Sequence, residues 1–220
     1  MYNTVKRLFD IVFSIIAISI LLPLLVPILI GLKLTGEGHI FYLQERIGKD
    51  CRRFNIIKFA TMLKNSPNIG AGTITTRNDP RVLPMGKFLR ITKLNELPQL
   101  LNVLIGNMSF VGPRPLVERQ FGYYPEVMQQ KIMESKPGIT GVGSIVFRDE
   151  ERLLSSTSMN PQDYYKTIIS PHKGALELWY NKNKNFKTDF LILIFTALVI
   201  VFPSNESFFN WFPSLPKRSF

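Results

Sequence analysis

Residues 11–32 read IVFSIIAISILLPLLVPILIGL and carry no charged side chain over 22 positions. A helix of this length is about 33 Å long and can traverse the ~30 Å hydrocarbon core of a bilayer. The stretch therefore predicts a membrane-embedded helix. A cleaved signal peptide is disfavoured because the run exceeds a usual apolar h-region and no small-residue cleavage site follows it.

Two prolines, Pro23 and Pro27, interrupt the middle of this run. Each removes a backbone donor and clashes with the preceding turn, which predicts a kink. Lys6 and Arg7 precede the run and Lys33 follows it, so the positive-inside tendency favours the cytosolic face for both ends. The residues alone leave two forms open, a re-entrant helix that enters and leaves one face and a proline-kinked transmembrane span.

The composition predicts one ordinary domain with membrane-embedded parts, because the chain has 220 residues of which 45% are hydrophobic. The formal charge of +11 favours an anionic partner, such as nucleic acid, acidic headgroups or phosphorylated substrates. Nucleic acid is disfavoured because no interleaved aromatic platform or binding motif is present. A single cysteine, Cys51, excludes an intrachain disulfide and suits a cytosol-facing domain.

The middle of the chain alternates in a way typical of mixed α and β structure. Residues 39–48 (HIFYLQERIG) and 54–62 (FNIIKFATM) predict two strands of a hairpin. Residues 65–80 predict a surface loop. A second apolar run, residues 190–202, is ~20 Å long as a helix, too short to span. It predicts either a buried core helix or a segment lying in the membrane interface.

Residues 93–116 read KLNELPQLLNVLIGNMSFVGPRPL, with apolar residues at helical spacing. Pro98 is tolerated only in a first turn, so we expect the helix to begin just upstream. Asn95 then falls at the N-cap and Glu96 in the first turn, where both residue types are favoured for structural reasons. The rigid turn around Arg114, together with Arg90, predicts a phosphate clamp. Residues 147–154 (FRDEERLL) predict a solvated, charged helix end.

The chain closely resembles the bacterial sugar transferase family, the monotopic phosphoglycosyl transferases, in their small form with the catalytic domain alone. The matching segments occur in the family's order over roughly residues 1 to 200. They are Lys6-Arg7 with Asp10, FYLQERIG with Gln44, Arg46 and Gly48, IIKFATM with Lys58 and Thr61, RNDPRV, GKFLR ending in Arg90, NELPQLLNVLIGNMSFVGPRP, and KPGITG.

The resemblance implies an α/β (mixed α+β) monotopic membrane protein on the cytosolic face of the bacterial inner membrane. It implies a re-entrant helix over residues 1–35 with its hinge at Pro23, and a cytosolic catalytic domain over residues 36–189. Residues 190–220 would form a packed or interfacial apolar helix and tail. Amphipathic helices are expected to lie at the membrane interface.

The implied reaction moves a sugar phosphate from a UDP-sugar to undecaprenyl phosphate and releases UMP, the first membrane step of capsule, O-antigen or exopolysaccharide assembly. Mg²⁺ is the usual cofactor. The donor, the polyprenyl phosphate acceptor and the inner-membrane lipids are the expected partners, and all favour a basic protein. Nucleic acid is not an expected partner, and a homodimer is left open.

The family motif has Asp-Glu where this chain has Asn95-Glu96, and a carboxamide is a poor nucleophile. Three outcomes follow: Glu96 is the nucleophile and metal ligand with Asn95 beside it, the lipid phosphate attacks the donor directly, or the chain is a catalytically silent membrane scaffold. We favour an active enzyme because the expected phosphate-binding residues are in place. Those residues are Arg90, Arg114, Lys58 and Arg46. Asp149 or Glu150 is an alternative source of the missing carboxylate, and a solvated, charged helix end is the favoured interpretation of both.

Overall fold

The computed structural model describes residues 2–69 and 79–220, which form a mixed α and β fold. The helices are α1 (Tyr2–Leu34), α2 (Pro84–Ile91), α3 (Gln99–Ile105), α4 (Glu118–Phe121), α5 (Glu126–Ile132), α6 (Val142–Val146), α7 (Glu150–Ser156), α8 (Pro161–Tyr164), α9 (Ser170–Asn183), α10 (Phe186–Val201) and α11 (Phe208–Trp211). The strands are β1 (Phe41–Ile47), β2 (Arg53–Phe59), β3 (Ser109–Val111) and β4 (Gly138–Thr140). Most of the predicted loop at 65–80 lies outside the described residues.

The two predicted strands form the expected hairpin. Strands β1 and β2 pair antiparallel from Phe41 opposite Phe59 to Ile47 opposite Arg53. The connection is a short 3-10 turn, Lys49–Cys51, in which two non-glycine residues adopt positive φ. Ile56 and Phe59 of β2 are almost fully buried, on opposite faces of the strand and in two different core clusters. The paired strands of the hairpin thus hold the side chains of β1 and β2 in fixed positions.

Helix α1 is one continuous helix that contains both Pro23 and Pro27. Among the described residues it is the one helix long and apolar enough, by length and composition, to cross a membrane. Only 11% of its most apolar window is buried, unlike the core helix of a soluble protein. Many of its apolar side chains are exposed: Ile15, Ile16, Ile20, Leu22, Leu24 and Val26. A membrane-embedded helix is therefore supported, whereas the hinge at Pro23 stays a prediction.

The N-terminal part of α1 is fixed to the folded domain by polar contacts. The Arg7 guanidinium donates hydrogen bonds to the backbone carbonyls of Val103 (2.6 Å) and Leu104 (2.8 Å), in the last turn of α3. The Asp10 carboxylate is buried and accepts from the Phe110 N–H at 3.1 Å. The carbonyl end of a helix carries a partial negative charge, so it also attracts the positively charged guanidinium of Arg7.

The C-terminal part of α1 packs against the same domain through apolar contacts. Ile28 and Leu32 are 5% and 3% exposed and share a core cluster with Phe59 of β2 and Leu89 of α2. Burying each such side chain contributes about 1.5–3 kcal/mol. Both ends of α1 are therefore attached to one folded body, with the exposed apolar stretch between them.

Helix α3 begins later than the sequence analysis predicts. It starts at Gln99, and Asn95 lies in a separate 3-10 turn, Leu94–Glu96. The Leu97 N–H donates to the Leu94 carbonyl at 3.1 Å and the Leu100 N–H to the Leu97 carbonyl at 3.0 Å, so the residues upstream of Gln99 follow 3-10 rather than α-helical hydrogen bonding. The prediction that Asn95 caps α3 is wrong.

The second apolar run forms α10, which begins four residues before the run at Phe186. Its inner face, with Ile192, Phe195 and Val199, joins the largest core cluster of the molecule. Its outer face leaves Phe190 and Ile200 more than 60% exposed. Both alternatives from the sequence thus describe part of α10, because one face is core and the other is an exposed apolar surface suited to an interface.

Candidate active site

The 3-10 turn Leu94–Glu96 brings Glu96 against β2. Glu96 Oε1 lies 2.9 Å from Lys58 Nζ, and both side chains are mostly buried. The turn follows Lys93, whose backbone has a φ of 60°, a conformation that non-glycine residues rarely adopt. Such local strain is often kept at functional sites, and here it turns the chain so that the Glu96 carboxylate faces the strand.

The carboxylate of Glu96 is ionised across the physiological pH range. Burial alone raises its pKa, but the charges of Lys58 and Arg114 outweigh that effect and hold the pKa well below its usual range. The same burial lowers the pKa of Lys58, which Glu96 partly restores. Because Oε1 is bound to Lys58, Oε2 is the oxygen without a hydrogen-bond partner in the described part of the chain. Glu96 is thus suited to be a nucleophile or a metal ligand and unsuited to be a general acid.

Arg114 stands on a turn that is locked to the KPGITG segment by backbone contacts. The Gly112 N–H donates to the Thr140 carbonyl (3.0 Å), and the Gly138 N–H donates to the Pro113 carbonyl (2.8 Å). A Cβ on Gly112 would lie 2.2 Å from the Lys136 carbonyl oxygen. Glycine is required at this crossing because two main chains approach too closely for any side chain. The contact fixes the base of the exposed Arg114 side chain beside Glu96.

Arg46 supports the Arg114 turn from β1. Its guanidinium donates to the Pro115 carbonyl at 3.1 Å and to the side chain of Gln44. Burial and the charge of Arg114 lower the pKa of Arg46 to about 10. Its Nε is buried and has no partner in the described chain. Two of its five N–H donors are therefore used within the protein, and the predicted phosphate contact stays a prediction.

Arg90 lies in the last turn of α2 and is half-buried. Within residues 2–69 and 79–220 its guanidinium makes no hydrogen bond or ion pair, so all its donors are available. It is not among the groups that act most strongly on Glu96, which are Lys58, Arg114 and Lys93. The structure thus joins Lys58, Arg114 and Arg46 around Glu96, while the assignment of Arg90 to a phosphate stays a prediction.

Asn95 is buried, with 7% exposure, and its Oδ1 has no hydrogen-bond partner in the part of the chain that is described. An unpaired buried carbonyl oxygen costs about 1–3 kcal/mol, so it is a candidate contact for a ligand. An amide oxygen accepts hydrogen bonds and binds hard cations but does not attack phosphorus.

The site has a second layer that the sequence analysis did not predict. Glu150, expected on a solvated helix end, instead pairs with the buried Lys173 of α9 at 2.5 Å. One turn later on α9, Glu177 is 4% exposed and its Oε1 accepts from the Arg114 backbone N–H at 3.4 Å. Burial raises the pKa of Glu177 to about 7. The i, i+4 spacing of Lys173 and Glu177 beside apolar residues was the available signal, although solvated helix faces show the same spacing.

The residues present are a partial fit for Mg²⁺. The Glu96 carboxylate and the orphaned Oδ1 of the adjacent residue Asn95 are oxygen donors of the kind that Mg²⁺ prefers. In the described chain, no group of three or more His, Cys, Asp or Glu side chains is placed to hold a metal. Mg²⁺ commonly takes one or two protein oxygens and completes its shell with substrate phosphates and water, and this donor set suits such a shared ion.

Comparison with known proteins finds a matching family and relatives over most of the chain. A model of the family described as "Bacterial sugar transferase" matches residues 1–203. A UDP-galactose-lipid carrier transferase of Erwinia amylovora is 34% identical over 210 residues, covering 89% of this chain and 40% of that protein. The exopolysaccharide production protein ExoY of Sinorhizobium fredii is 38% identical over 160 residues, covering 66% and 70%.

A third relative is the UDP-glucose:undecaprenyl-phosphate glucose-1-phosphate transferase of Escherichia coli. It is 39% identical over 142 residues, which cover 64% of this chain and 30% of that protein. The chain thus spans less than half the length of the Erwinia and Escherichia proteins and most of the length of the Sinorhizobium protein.

Proposed function

The chain belongs to the bacterial sugar transferase family, and we propose that it moves a sugar phosphate from a UDP-sugar to undecaprenyl phosphate with release of UMP. The names of its relatives support a nucleotide-sugar donor and an undecaprenyl phosphate acceptor. The observation that carries the proposal is the Glu96 carboxylate, held ionised between Lys58 and the Arg114 turn. This arrangement pairs an anionic attacking group with cations that neutralise a diphosphate.

In the mechanism we propose, Glu96 Oε2 attacks the β-phosphorus of the donor. The new bond joins that oxygen to phosphorus, and the bond from phosphorus to the oxygen of the departing UMP breaks with its electron pair. A phosphate oxygen of the polyprenyl carrier then attacks the same phosphorus, forms the diphosphate and releases Glu96. Each displacement exchanges one phosphorus–oxygen bond for another.

The cationic side chains stabilise charge as it moves between these oxygens. Arg114, whose backbone is held by the contact between Gly112 and the KPGITG segment, binds the oxygens of the transferred phosphoryl group. Arg90 donates hydrogen bonds to the diphosphate of the UDP-sugar. Mg²⁺, when bound through Glu96 and Asn95 Oδ1, would supply further charge neutralisation on the diphosphate. Direct attack by the lipid phosphate remains the second mechanism, in which Glu96 serves only to position these groups.

A UMP-release assay with membranes, polyprenyl phosphate and a panel of UDP-sugars tests the reaction. We expect UMP and a lipid-linked product with at least one donor, and their absence with every donor contradicts the proposal. Glu96→Gln should lower the rate roughly 1,000-fold or more, because the nucleophile is lost. Asn95→Ala should stay within about tenfold at saturating magnesium, since it removes one contact worth about 1 kcal/mol. A phosphosugar adduct located at Glu96 by mass spectrometry separates the covalent mechanism from direct attack.

A catalytically silent scaffold is the alternative that Asn95 raises. It predicts that the wild type and Glu96→Gln both release UMP only at the background rate. The geometry does not favour it, because the ionised carboxylate next to the lost acid is retained with its cations.

We also propose that α1 is re-entrant, hinged at Pro23, with the domain on the cytosolic face of the bacterial inner membrane. Support comes from the attachment of both parts of α1 to one folded domain, through Arg7 and through Leu32. The exposed apolar face of α10 supports an additional interfacial contact.

Cysteine labelling tests this topology. In a Cys51→Ser background, Asn3→Cys and Glu37→Cys place single thiols just before and just after the apolar stretch. An impermeant reagent should label both in inverted vesicles and neither in right-side-out vesicles. Labelling of the two positions from opposite sides would mean a transmembrane span.

A further inference from the structure

A recess of about 100 Å³ lies at the N-terminal end of α1 and shares no residue with the group around Glu96. It is far smaller than the ~300–1,000 Å³ pockets that enclose drug-sized ligands, so it suits one small group. Five basic side chains line it and come from four separate segments of the chain. They are Lys6, Arg7, Lys49, Lys136 and Lys184.

Four of the five cations form no salt bridge with the residues that the structure describes. Lys6 forms a salt bridge with Asp189, and Arg7 binds carbonyls of α3. Lys49, Lys136 and Lys184 have no salt bridge within residues 2–69 and 79–220. Two acidic residues, Asp10 and Glu134, also line the recess. The Asp10 carboxylate already accepts hydrogen bonds from the Ser109 hydroxyl and the Phe110 N–H. Positive charge therefore exceeds negative charge in the recess.

The cations of the recess are partly desolvated and repel one another. Burial lowers the pKa of Lys136, and the neighbouring charge of Arg7 lowers it further. Burial also lowers the pKa of Lys184, an effect that Glu134 opposes and Lys49 strengthens. The Lys184 ammonium is nevertheless held in place by the Ser135 hydroxyl oxygen at 2.8 Å. A bound anion would relieve this repulsion and use donors that are already oriented.

The position of the recess indicates where that anion comes from. Lys6 and Arg7 point into it from the first turns of α1, while Val5, Leu8 and Phe9 of the same turns are 41–62% exposed on the outside. These outward apolar residues lie at the start of the membrane-embedded helix. The recess is therefore at the level of lipid headgroups when α1 is embedded, with its cations next to the headgroup phosphates.

We propose that this recess binds the phosphate of an anionic phospholipid headgroup, held by Lys49, Lys136 and Lys184 beside the N-terminal turns of α1. The site is separate from the transferase chemistry and depends only on the embedding of α1. Its function is to seat the domain on anionic lipid, through charge-assisted hydrogen bonds that a zwitterionic surface cannot fully supply.

The test uses the full chain in nanodiscs of phosphatidylcholine, with or without phosphatidylglycerol. Amine-reactive labelling read by mass spectrometry should slow several-fold at Lys136 and Lys184 when phosphatidylglycerol is present. Labelling of Lys217, which lies outside the recess, should not change. Equal labelling at Lys136 and Lys184 in both lipids overturns the proposal.

A second measurement keeps the result independent of labelling chemistry. Native mass spectrometry should find phosphatidylglycerol retained by the wild type and bound roughly 30-fold more weakly by the Lys136→Gln/Lys184→Gln variant, since each lysine near a membrane contributes ~1 kcal/mol. The matched control is Lys182→Gln/Lys187→Gln, which removes two exposed lysines outside the recess. An equal loss in both double variants overturns the site and leaves only general charge attraction.

A third arm separates a lipid headgroup from a free anion. Inorganic phosphate added to phosphatidylcholine nanodiscs should give little protection at Lys136 and Lys184. Full protection by inorganic phosphate, without protection by phosphatidylglycerol, overturns the lipid assignment. UMP release measured on the same samples is expected to be retained in the Lys136→Gln/Lys184→Gln variant, so failure of the lipid site and failure of the proposed transferase reaction are distinguishable.

Discussion

Lys58 Nζ lies 2.9 Å from Glu96 Oε1, and this ion pair joins strand β2 to the short turn that precedes α3. The pair has two consequences, because it both attaches the turn and sets the charge state of the proposed nucleophile. Its partners are mostly buried, so its effect is screened less than that of a surface pair.

The variant Lys58→Met removes the nearest positive charge from Glu96. Burial then opposes ionisation with only Arg114 and Lys93 left to counter it, so the pKa of Glu96 rises. We expect the acidic limb of the rate–pH profile for UMP release to move to higher pH. Lys64→Met, which removes an exposed lysine, is the control and should leave the profile in place. An unchanged limb in Lys58→Met would contradict the proposed role of the pair.

The buried carboxyl of Glu177 should make stability depend on pH. Burial raises its pKa to about 7, so between the unfolded value near 4.5 and about 7 the folded state keeps a proton that the unfolded state loses. Stability therefore falls as pH rises through this window. Glu177→Gln should be about as stable as wild type at acidic pH and more stable above neutral pH, by up to about 3 kcal/mol.

Chemical denaturation in detergent at several pH values measures this difference. Glu126→Gln is a suitable control because Glu126 is exposed and begins α5 on the surface. A gain in Glu177→Gln that is the same at every pH would mean that the proton on Glu177 is not its cause.

Sequence patterns predicted the elements that depend on interactions between residues close together in the chain. The hairpin followed from alternation in β1 and β2, and the apolar α1 from length and charge. The start of α3 was missed because 3-10 hydrogen bonding replaces α-helical hydrogen bonding in the turn just upstream of Gln99. Rules based on the spacing of apolar residues do not describe the competition between 3-10 and α-helical hydrogen bonding.

The second layer of the site could not be predicted for a different reason. Lys173 and Glu177 have the spacing of an ordinary solvated helix face, and only tertiary packing reveals that both are buried. Arg46 was expected to bind phosphate, but the carbonyl of Pro115, distant in sequence, occupies one of its donors. Contacts between segments far apart in the chain decide such cases, and a single sequence does not show them.

Arg7 is expected to be a main attachment of α1 to the domain. Arg7→Ala removes two hydrogen bonds from a charged donor to the carbonyls of Val103 and Leu104, so we expect a loss of about 2–4 kcal/mol in unfolding free energy. Arg52→Ala removes an exposed arginine on the hairpin turn and should cost less than about 0.5 kcal/mol. Thermal melts in detergent compare the two, and equal melting temperatures would contradict the anchoring role.

The glycine crossing beneath Arg114 should not tolerate a methyl group. In Gly138→Ala the new Cβ would lie 2.2 Å from the Gly112 nitrogen and 2.4 Å from the Thr140 carbonyl oxygen, so the backbone must shift. We expect about 2–4 kcal/mol of destabilisation and a loss of UMP release as Arg114 moves.

Gly122→Ala is the matched control for this substitution. Its Cβ would meet the nearest atoms at 3.5 Å, an ordinary contact, so both stability and activity should be retained. Normal activity in Gly138→Ala would mean that the crossing does not position Arg114.

A helix that is attached to a domain at two points cannot change its angle relative to that domain. Since α1 is tied to the domain by Arg7 near its first residues and by Leu32 near its last, the tilt of the domain about the helix is fixed. The height of Glu96 above the apolar stretch is therefore constant as well. A long-chain acceptor whose phosphate lies at that height would meet the carboxylate by lateral diffusion, without any reorientation of the protein.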